Sequence, residues 1–421
     1  MKNNAESNKM LALVYRNSFP RWMLCKAAGW ITPTIFSSPL SGLHLASVPI
    51  PPLPGPRWVR LKTILGGICG TDMAAIMQKH HPAFITQVFA SRPAIVGHEN
   101  VALIDEVGPD VTRWQKGRRV VVEPSLSCTP RGIEPQCPHC AAGRFTLCDN
   151  FLTGPLPAGC MIGWNCFTGG SWAPYFIAHE SQLYQVPDSL NDEQAVLIDP
   201  IAGALHAVLR RRPADNETVL ILGAGPLGLG VAACIRALGG RCRLLALDRA
   251  SGNLELISRY GVDATICVGA KANQAERYGQ FAGHVGGTVI PVRFGHQVLI
   301  GGCDLVYDCI GTGQSLTDAM KYARAGGTVV EVGTSQISLV DTAPLWFDEL
   351  NLIGANGRAI EQYEGRTMHT YEIVLELIQQ KKLDLTDLLT HRFRIEQYRE
   401  ALAALYHRGR SGAIKVAFDH R

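Results

Sequence analysis

The chain has 421 residues, enough for two or three domains, and its hydrophobic share of 47% allows a sizeable core. Charged residues make up 18%, below the usual ~25%. The 40 basic and 36 acidic residues are well mixed, so the net charge of +4 forms no basic stripe and argues against nucleic acid as a partner.

In chain order, residues 1–9 are polar, and the apolar run 11–15 is too short for a signal-peptide core. Residues 11–16 read as a first strand and 21–29 as a short amphipathic helix. Segment 31–56, rich in Pro, Ser and Gly, is expected to wrap the surface. Residues 59–65 alternate as a strand does, and 101–107 and 119–122 are β-like, so the first region is compact and mostly β. From 218 the pattern changes. Residues 218–222, 243–247, 304–308 and 328–332 read as buried strands, and 226–238, 253–260 and 315–323 as helices. This alternation builds a doubly wound parallel sheet of the α/β class. Stretch 269–300 fits no template. Beyond Pro344 the pattern loosens, with helices expected at 371–381 and 395–406 and a closing strand at 413–418. The longest apolar run, 219–234, holds four glycines and a proline and is shorter than the ~20 residues that span a bilayer. It reads as strand, phosphate loop and helix, and no membrane partner is expected.

Thirteen cysteines is an odd number without the spacing of a secreted disulfide framework. Cys234, Cys242, Cys303 and Cys309 lie in apolar runs as small buried hydrophobes, and the pattern suits a reducing cytoplasm. Cys128, Cys137, Cys140 and Cys148 cluster at metal-ligand spacing. Four thiolates make a closed tetrahedral zinc site, which holds structure and does no chemistry.

Gly223-Ala224-Gly225-Pro226-Leu227-Gly228 follows a buried strand and opens a helix, the context of a dinucleotide loop. Gly223 permits the tight turn, Gly225 the approach of the pyrophosphate, and Gly228 close helix packing. Asp248 ends the next strand, where a carboxylate can accept from ribose hydroxyls and repel a 2′-phosphate. NAD is therefore favoured over NADP, a choice that the adjacent Arg249 tempers.

Cys69, in Gly67-Ile68-Cys69-Gly70-Thr71-Asp72, and His98, in Gly97-His98-Glu99, offer the thiolate and imidazole that zinc prefers. Together with the dinucleotide loop they resemble the zinc-dependent medium-chain dehydrogenases, the family of alcohol, sorbitol, threonine and glucose dehydrogenases. The likeness covers roughly residues 57–421. It implies a GroES-like β-rich catalytic domain over 1–200 and 345–421, with a structural-zinc lobe near 124–152, and a Rossmann domain over 201–344. It also implies two zinc ions per chain, a small alcohol or carbonyl substrate, and a homo-oligomer, dimer or tetramer.

By resemblance, Cys69 and His98 bind the catalytic zinc, Thr71 relays the alcohol proton, and Asp72 orients His98. The third-ligand position holds Asp199, a shorter acid expected to reach the metal through water, with Glu99 as the direct ligand. Where some relatives complete the relay with a histidine, this chain has Ala74; His80 and His81, close by, are expected to be exposed. The lobe departs from the family in a first gap six residues longer, which leaves Glu134 as rival to Cys128. Cys309 and Gly333 are implied to contact the ribose and nicotinamide, and Lys415 the pyrophosphate. Segments 17–56 and 164–172 are candidates for shaping the substrate pocket. The expected activity is hydride transfer between an alcohol, polyol or sugar and NAD. The alternatives are a zinc-free quinone reductase-like enzyme and a silent NAD-binding sensor.

Overall fold

The computed structural model describes residues 8–421 apart from Trp30, Pro82 and Ala270, so the polar start at 1–7 lies outside the described residues. The chain forms two compact units. The first comprises Met1–Asp199, Arg358–Gln379 and Leu385–Arg421, and the second Pro200–Gly357 and Gln380–Asp384.

The first unit is built on a seven-stranded sheet. Its central strand, Trp58–Gly67, buries Val59, Leu61, Thr63 and Leu65, the period-2 pattern seen in the sequence. It pairs antiparallel with Glu99–Val107, Tyr175–His179 and Lys415–Asp419; Arg119–Val122 and Leu183–Gln185 extend one side and Leu389–Phe393 the other. Ala102, Ile104 and Phe176 complete the core beneath. This is a GroES-like β-rich domain.

A second sheet corrects the expectation for 31–56. Leu43–Pro49 pairs with Lys9–Tyr15 in an antiparallel register that sets Leu43 opposite Tyr15 and Leu45 opposite Leu13. Leu43 and Leu13 are fully buried, so the apolar contacts outweigh the Pro and Ser residues around them. Between these strands, helix Phe19–Ala28 is pinned by Trp22 Nε1, which donates to the His80 carbonyl at 3.3 Å, and by Lys26 Nζ, which donates to the Gln78 carbonyl at 3.3 Å.

The second unit carries a six-stranded parallel sheet in the order Ala264–Cys267, Arg243–Asp248, Thr218–Leu222, Cys303–Asp308, Ala323–Glu331, Asn351–Gly354. Helices Pro226–Ala237, Ser251–Ser258, Gln274–Val285 and Gly313–Tyr322 alternate with the strands, as in a Rossmann doubly wound domain. The stretch that fitted no template holds Gln274–Val285, started by an Asn273–Glu276 capping box, and the hairpin Thr288–Ile290 with Val298–Ile300. The return to the first unit falls at Arg358 rather than at 345, because Asn351–Gly354 adds a parallel strand beside Ala323–Glu331. No helix among the described residues is long and apolar enough to cross a membrane.

Candidate active site

Cys69 is the N-cap of helix Gly70–Ile76, and Asp72, three residues on, accepts from its backbone N–H at 3.2 Å. This local cap places the Cys69 thiol at one end of the helix and the Asp72 carboxylate, fully buried, alongside it. Asp72 Oδ1 lies 3.3 Å from His98 Nδ1, so Nε2 is the ring nitrogen left to serve as a ligand. Trp164 Nε1 donates to the same Oδ1 at 3.2 Å. His98 and Glu99 lead into strand Glu99–Val107, where Glu99 pairs with Gly67. A Cβ on Gly67 would meet Glu99 Oε2 at 2.4 Å, so a bare backbone there makes room for the carboxylate.

The ligand atoms of Cys69, His98 and Glu99 all lie within 4.8 Å of one another. The 29 positions that separate Cys69 from His98 are thus closed by the antiparallel pairing of Trp58–Gly67 with Glu99–Val107. The field at this point suits a cation. Burial opposes a charged His98, yet Asp72 and Cys69 outweigh it and raise the imidazole well above its ordinary pKa. Burial raises Glu99, while the charges of Lys415 and His98 act to lower it. The donor set of sulfur, imidazole and carboxylate fits zinc.

Two further candidate residues are held in buried ion pairs. Lys415, assigned to the pyrophosphate, is 3% exposed and donates to Glu99 Oε1 at 2.5 Å. It begins the strand that flanks Gly67 on the side opposite Glu99, which brings the two side chains together. Asp199 lies outside the Cys69–His98–Glu99 cluster. Its Oδ1 is 2.7 Å from Arg358 Nε, its Oδ2 accepts from Arg358 Nη2 at 3.0 Å, and Tyr371 also donates to it.

His81 is exposed but His80 is buried, against expectation. The His80 ring stacks on Phe84 at 4.4 Å, and Nε2 has no hydrogen-bond partner among the described residues. Burial, helped by Arg92, pulls its pKa down to about 4, so it is neutral at physiological pH. Of the unplaced 164–172 segment, Trp164 backs Asp72, whereas Trp172 is fully buried and donates to the Gly67 carbonyl at 3.0 Å. Thr71 is half-buried in the first turn of its helix.

Cys128, Cys137, Cys140 and Cys148 form a second cluster within 4.8 Å, all buried and none in a disulfide. Cys128 Sγ accepts from Cys137 N at 3.4 Å and from Asn150 Nδ2 at 3.3 Å, and Cys148 Sγ accepts from Asn150 N at 3.3 Å. Such N–H donors stabilise thiolates. Glu134 is exposed and stands outside this group. The extra residues of the first gap hold Arg131, which the sequence did not single out. It is fully buried, and its guanidinium donates to the carbonyls of Leu126, Thr153, Leu156, Pro157 and Gly159 at 2.7–3.1 Å. Those five bonds use every donor that the group has. Arg131→Met should strip five carbonyls of their donor, those of Leu126, Leu156 and Gly159 in buried positions, and lower the melting temperature by at least about 5 °C. A thermal melt of that variant unchanged from wild type would contradict this role.

In the second unit, Gly223 adopts φ +95, and a Cβ on Gly228 would meet the Gly223 carbonyl oxygen at 1.9 Å. Gly225 differs: a Cβ there would meet no protein atom within 4 Å, as a residue approached by a ligand requires. Gly225 caps helix Pro226–Ala237, with Pro226 and Leu227 in the first turn. Asp248 Oδ2 accepts from Ala224 N at 2.6 Å and Oδ1 from Ala250 N at 2.8 Å; Arg249 is exposed. Cys309 N bonds the Leu222 carbonyl at 2.9 Å, and Gly311 packs on Gly333 so closely that a Cβ on either would strike the other's backbone. Asp308, another residue that sequence reasoning missed, holds this loop by accepting from Ile310 N and from Ser315 Oγ. Burial pushes its carboxyl up to about 6 against those bonds.

Residues 55–188 match the model of the alcohol dehydrogenase GroES-like domain, and 226–379 that of the zinc-binding dehydrogenase domain. Among curated relatives, an L-idonate 5-dehydrogenase of Vitis vinifera is 28% identical over 87% of this chain and 88% of its own. An L-threonine 3-dehydrogenase of Rhizobium etli is 29% identical over 91% and 96%. The crystal structure of 2R,3R-butanediol dehydrogenase from Bacillus subtilis superposes with a TM-score of 0.70 at 20% identity, covering 98% of this chain and 100% of that one, which bears on the fold. The chain belongs to the zinc-dependent medium-chain dehydrogenase family, and it is an NAD(P)-dependent oxidoreductase of the alcohol dehydrogenase type.

Proposed function

We propose that the chain oxidises a secondary alcohol, polyol or sugar with NAD, using one zinc for chemistry and a second for structure. The observation that carries this reading is the convergence of Cys69, His98 and Glu99 within 4.8 Å. Relatives named for idonate and threonine support the substrate class. Zinc, when bound, supplies a Lewis acid that makes an alcohol proton easier to remove, and NAD supplies the hydride acceptor.

The chain's own residues do the rest. Cys69, His98 and Glu99 would hold the ion. Asp72 holds the His98 ring through Nδ1, which would leave Nε2 to bind the ion, as second partners of metal ligands do. Lys415 offsets the Glu99 charge in the buried site. Thr71 would relay the substrate proton, its hydroxyl accepting one and passing its own on. Gly223, Gly225 and Gly228 seat the pyrophosphate at the helix start with Pro226 and Leu227, while Cys309 and Gly333 hold the ribose and nicotinamide. Cys128, Cys137, Cys140 and Cys148 hold the structural ion. A screen of alcohols, sugars and amino alcohols with NAD, read by the absorbance of the reduced cofactor and repeated with chelator, tests the assignment. Chelator-insensitive turnover would contradict it.

Asp248 is proposed to select NAD, because a 2′-phosphate would approach its carboxylate. Asp248→Ser should narrow the ratio of kcat/KM for NAD over NADP by about tenfold, roughly 1.4 kcal/mol. An unaltered ratio would remove Asp248 from the ribose site.

The working form is proposed to be a homo-oligomer in a reducing, cytoplasmic setting. All thirteen cysteines are free. The edge strand Asn351–Gly354 is open on one side, near the exposed Trp346 and Phe347, a surface that monomers rarely leave bare. Light scattering reads the assembly directly.

A further inference from the structure

The chain leaves the first unit after Asp199 and re-enters it at Arg358, and these two residues hold each other. Arg358 Nη2 donates to Asp199 Oδ2 at 3.0 Å, and Nε lies 2.7 Å from Oδ1 as an ion-pair contact outside hydrogen-bond geometry. The Tyr371 hydroxyl donates to Asp199 Oδ1, and Arg358 Nη1 lies 3.7 Å from Glu123 Oε1. Asp199, Arg358, Tyr371 and Glu123 are 7%, 8%, 0% and 4% exposed, so water does not compete for these groups.

Carboxylate is a good zinc ligand, and an aspartate beside three other ligands would ordinarily be drawn onto the ion. The Asp199 charge is felt at Glu99, yet both its oxygens are already engaged: Oδ2 accepts from the Arg358 guanidinium, which cannot lose its proton, and Oδ1 from the Tyr371 hydroxyl. A site with three protein ligands stays open to an outside molecule, whereas a fourth closes it. We propose that Arg358 is a positioning residue that withholds the Asp199 carboxylate from the ion held by Cys69, His98 and Glu99, and so keeps one coordination position available to substrate. This rests on the metal reading above. Arg358 then decides whether the site is catalytic or closed.

The test uses the full-length protein loaded with cobalt(II), whose visible bands report coordination, and titrates it with azide. The four-cysteine ion is closed and should not respond. In wild type, azide should shift the bands with single-site saturation. In Arg358→Met the released Asp199 fills the open position. The azide response should then weaken, and chelator-driven loss of that cobalt should slow, each by about tenfold, the scale of effects from partners of metal ligands. Arg358→Met combined with Asp199→Asn should restore both, which a merely structural role for Arg358 would not do. Should Arg358→Met fail to fold, Arg358→Lys keeps the charge, gives up the Nη2–Oδ2 bond and is read the same way. A wild-type azide response in the single variant, or a loss that Asp199→Asn does not restore, overturns the proposal. Absence of any azide-sensitive band in wild type would overturn the metal reading instead, so the two failures are distinguishable.

Discussion

Cys69→Ser is expected to lower kcat by at least about 10³-fold while NAD still binds. A Lewis acid at the reacting oxygen is worth several kcal/mol, and ~4 kcal/mol corresponds to about that factor. Serine would keep the N-cap geometry of helix Gly70–Ile76 but replace a soft, ionisable thiol with a hydroxyl that stays protonated. The pair His98 and Glu99 would then be left to hold the ion without sulfur. The dinucleotide loop at Gly223–Gly228 and Asp248 belong to the second unit, so cofactor affinity should be unaffected. Steady-state turnover beside a fluorescence titration with NADH separates the two quantities. Full activity in this variant would refute the ligand role of Cys69.

Cys128→Ser should have the opposite profile. The four-cysteine cluster closes a lobe that also depends on Arg131, and loss of one thiolate weakens an ion whose binding is folding free energy. A melting temperature lower by at least about 5 °C is expected, on the scale of ~2–4 °C per kcal/mol for a sizeable domain. The kcat/KM of the folded fraction should stay within about threefold, because a closed site contacts no substrate. Calorimetry and initial rates on the same preparation read both. An unchanged melt would mean that Cys128 does not hold the ion and would return Glu134 to consideration, although Glu134 is exposed.

Much of this was legible in the sequence because the signals were local or strongly periodic. The buried run 218–222, the glycines after it and Asp248 define a dinucleotide fold without tertiary information. The ligand types at Cys69, His98 and the four lobe cysteines were visible too, although only strand pairing closes the distance between Cys69 and His98. What the sequence hid was decided by packing. Asn351–Gly354 is a strand because Ala323–Glu331 offers it an edge, and four residues before a glycine-rich turn carry too little pattern to show that. Arg131 looks like any arginine in a polar insertion, since five carbonyls from separate turns converge only after folding. His80 reads as a surface histidine until helix Phe19–Ala28 docks on its backbone. Arg358 gave no hint that it would claim Asp199, 159 positions away in sequence. One miss was avoidable: Asn273 with Glu276 is a capping box, and it marks the start of Gln274–Val285 within the stretch that fitted no template.

The central claim is that an ion sits among Cys69, His98 and Glu99, and elemental analysis of three proteins tests it most directly. Wild type should carry two zinc ions per chain, with Cys69→Ser and Cys128→Ser carrying one each. The ion left in Cys69→Ser should support the fold without turnover. A zinc content in Cys69→Ser equal to that of wild type would contradict the account.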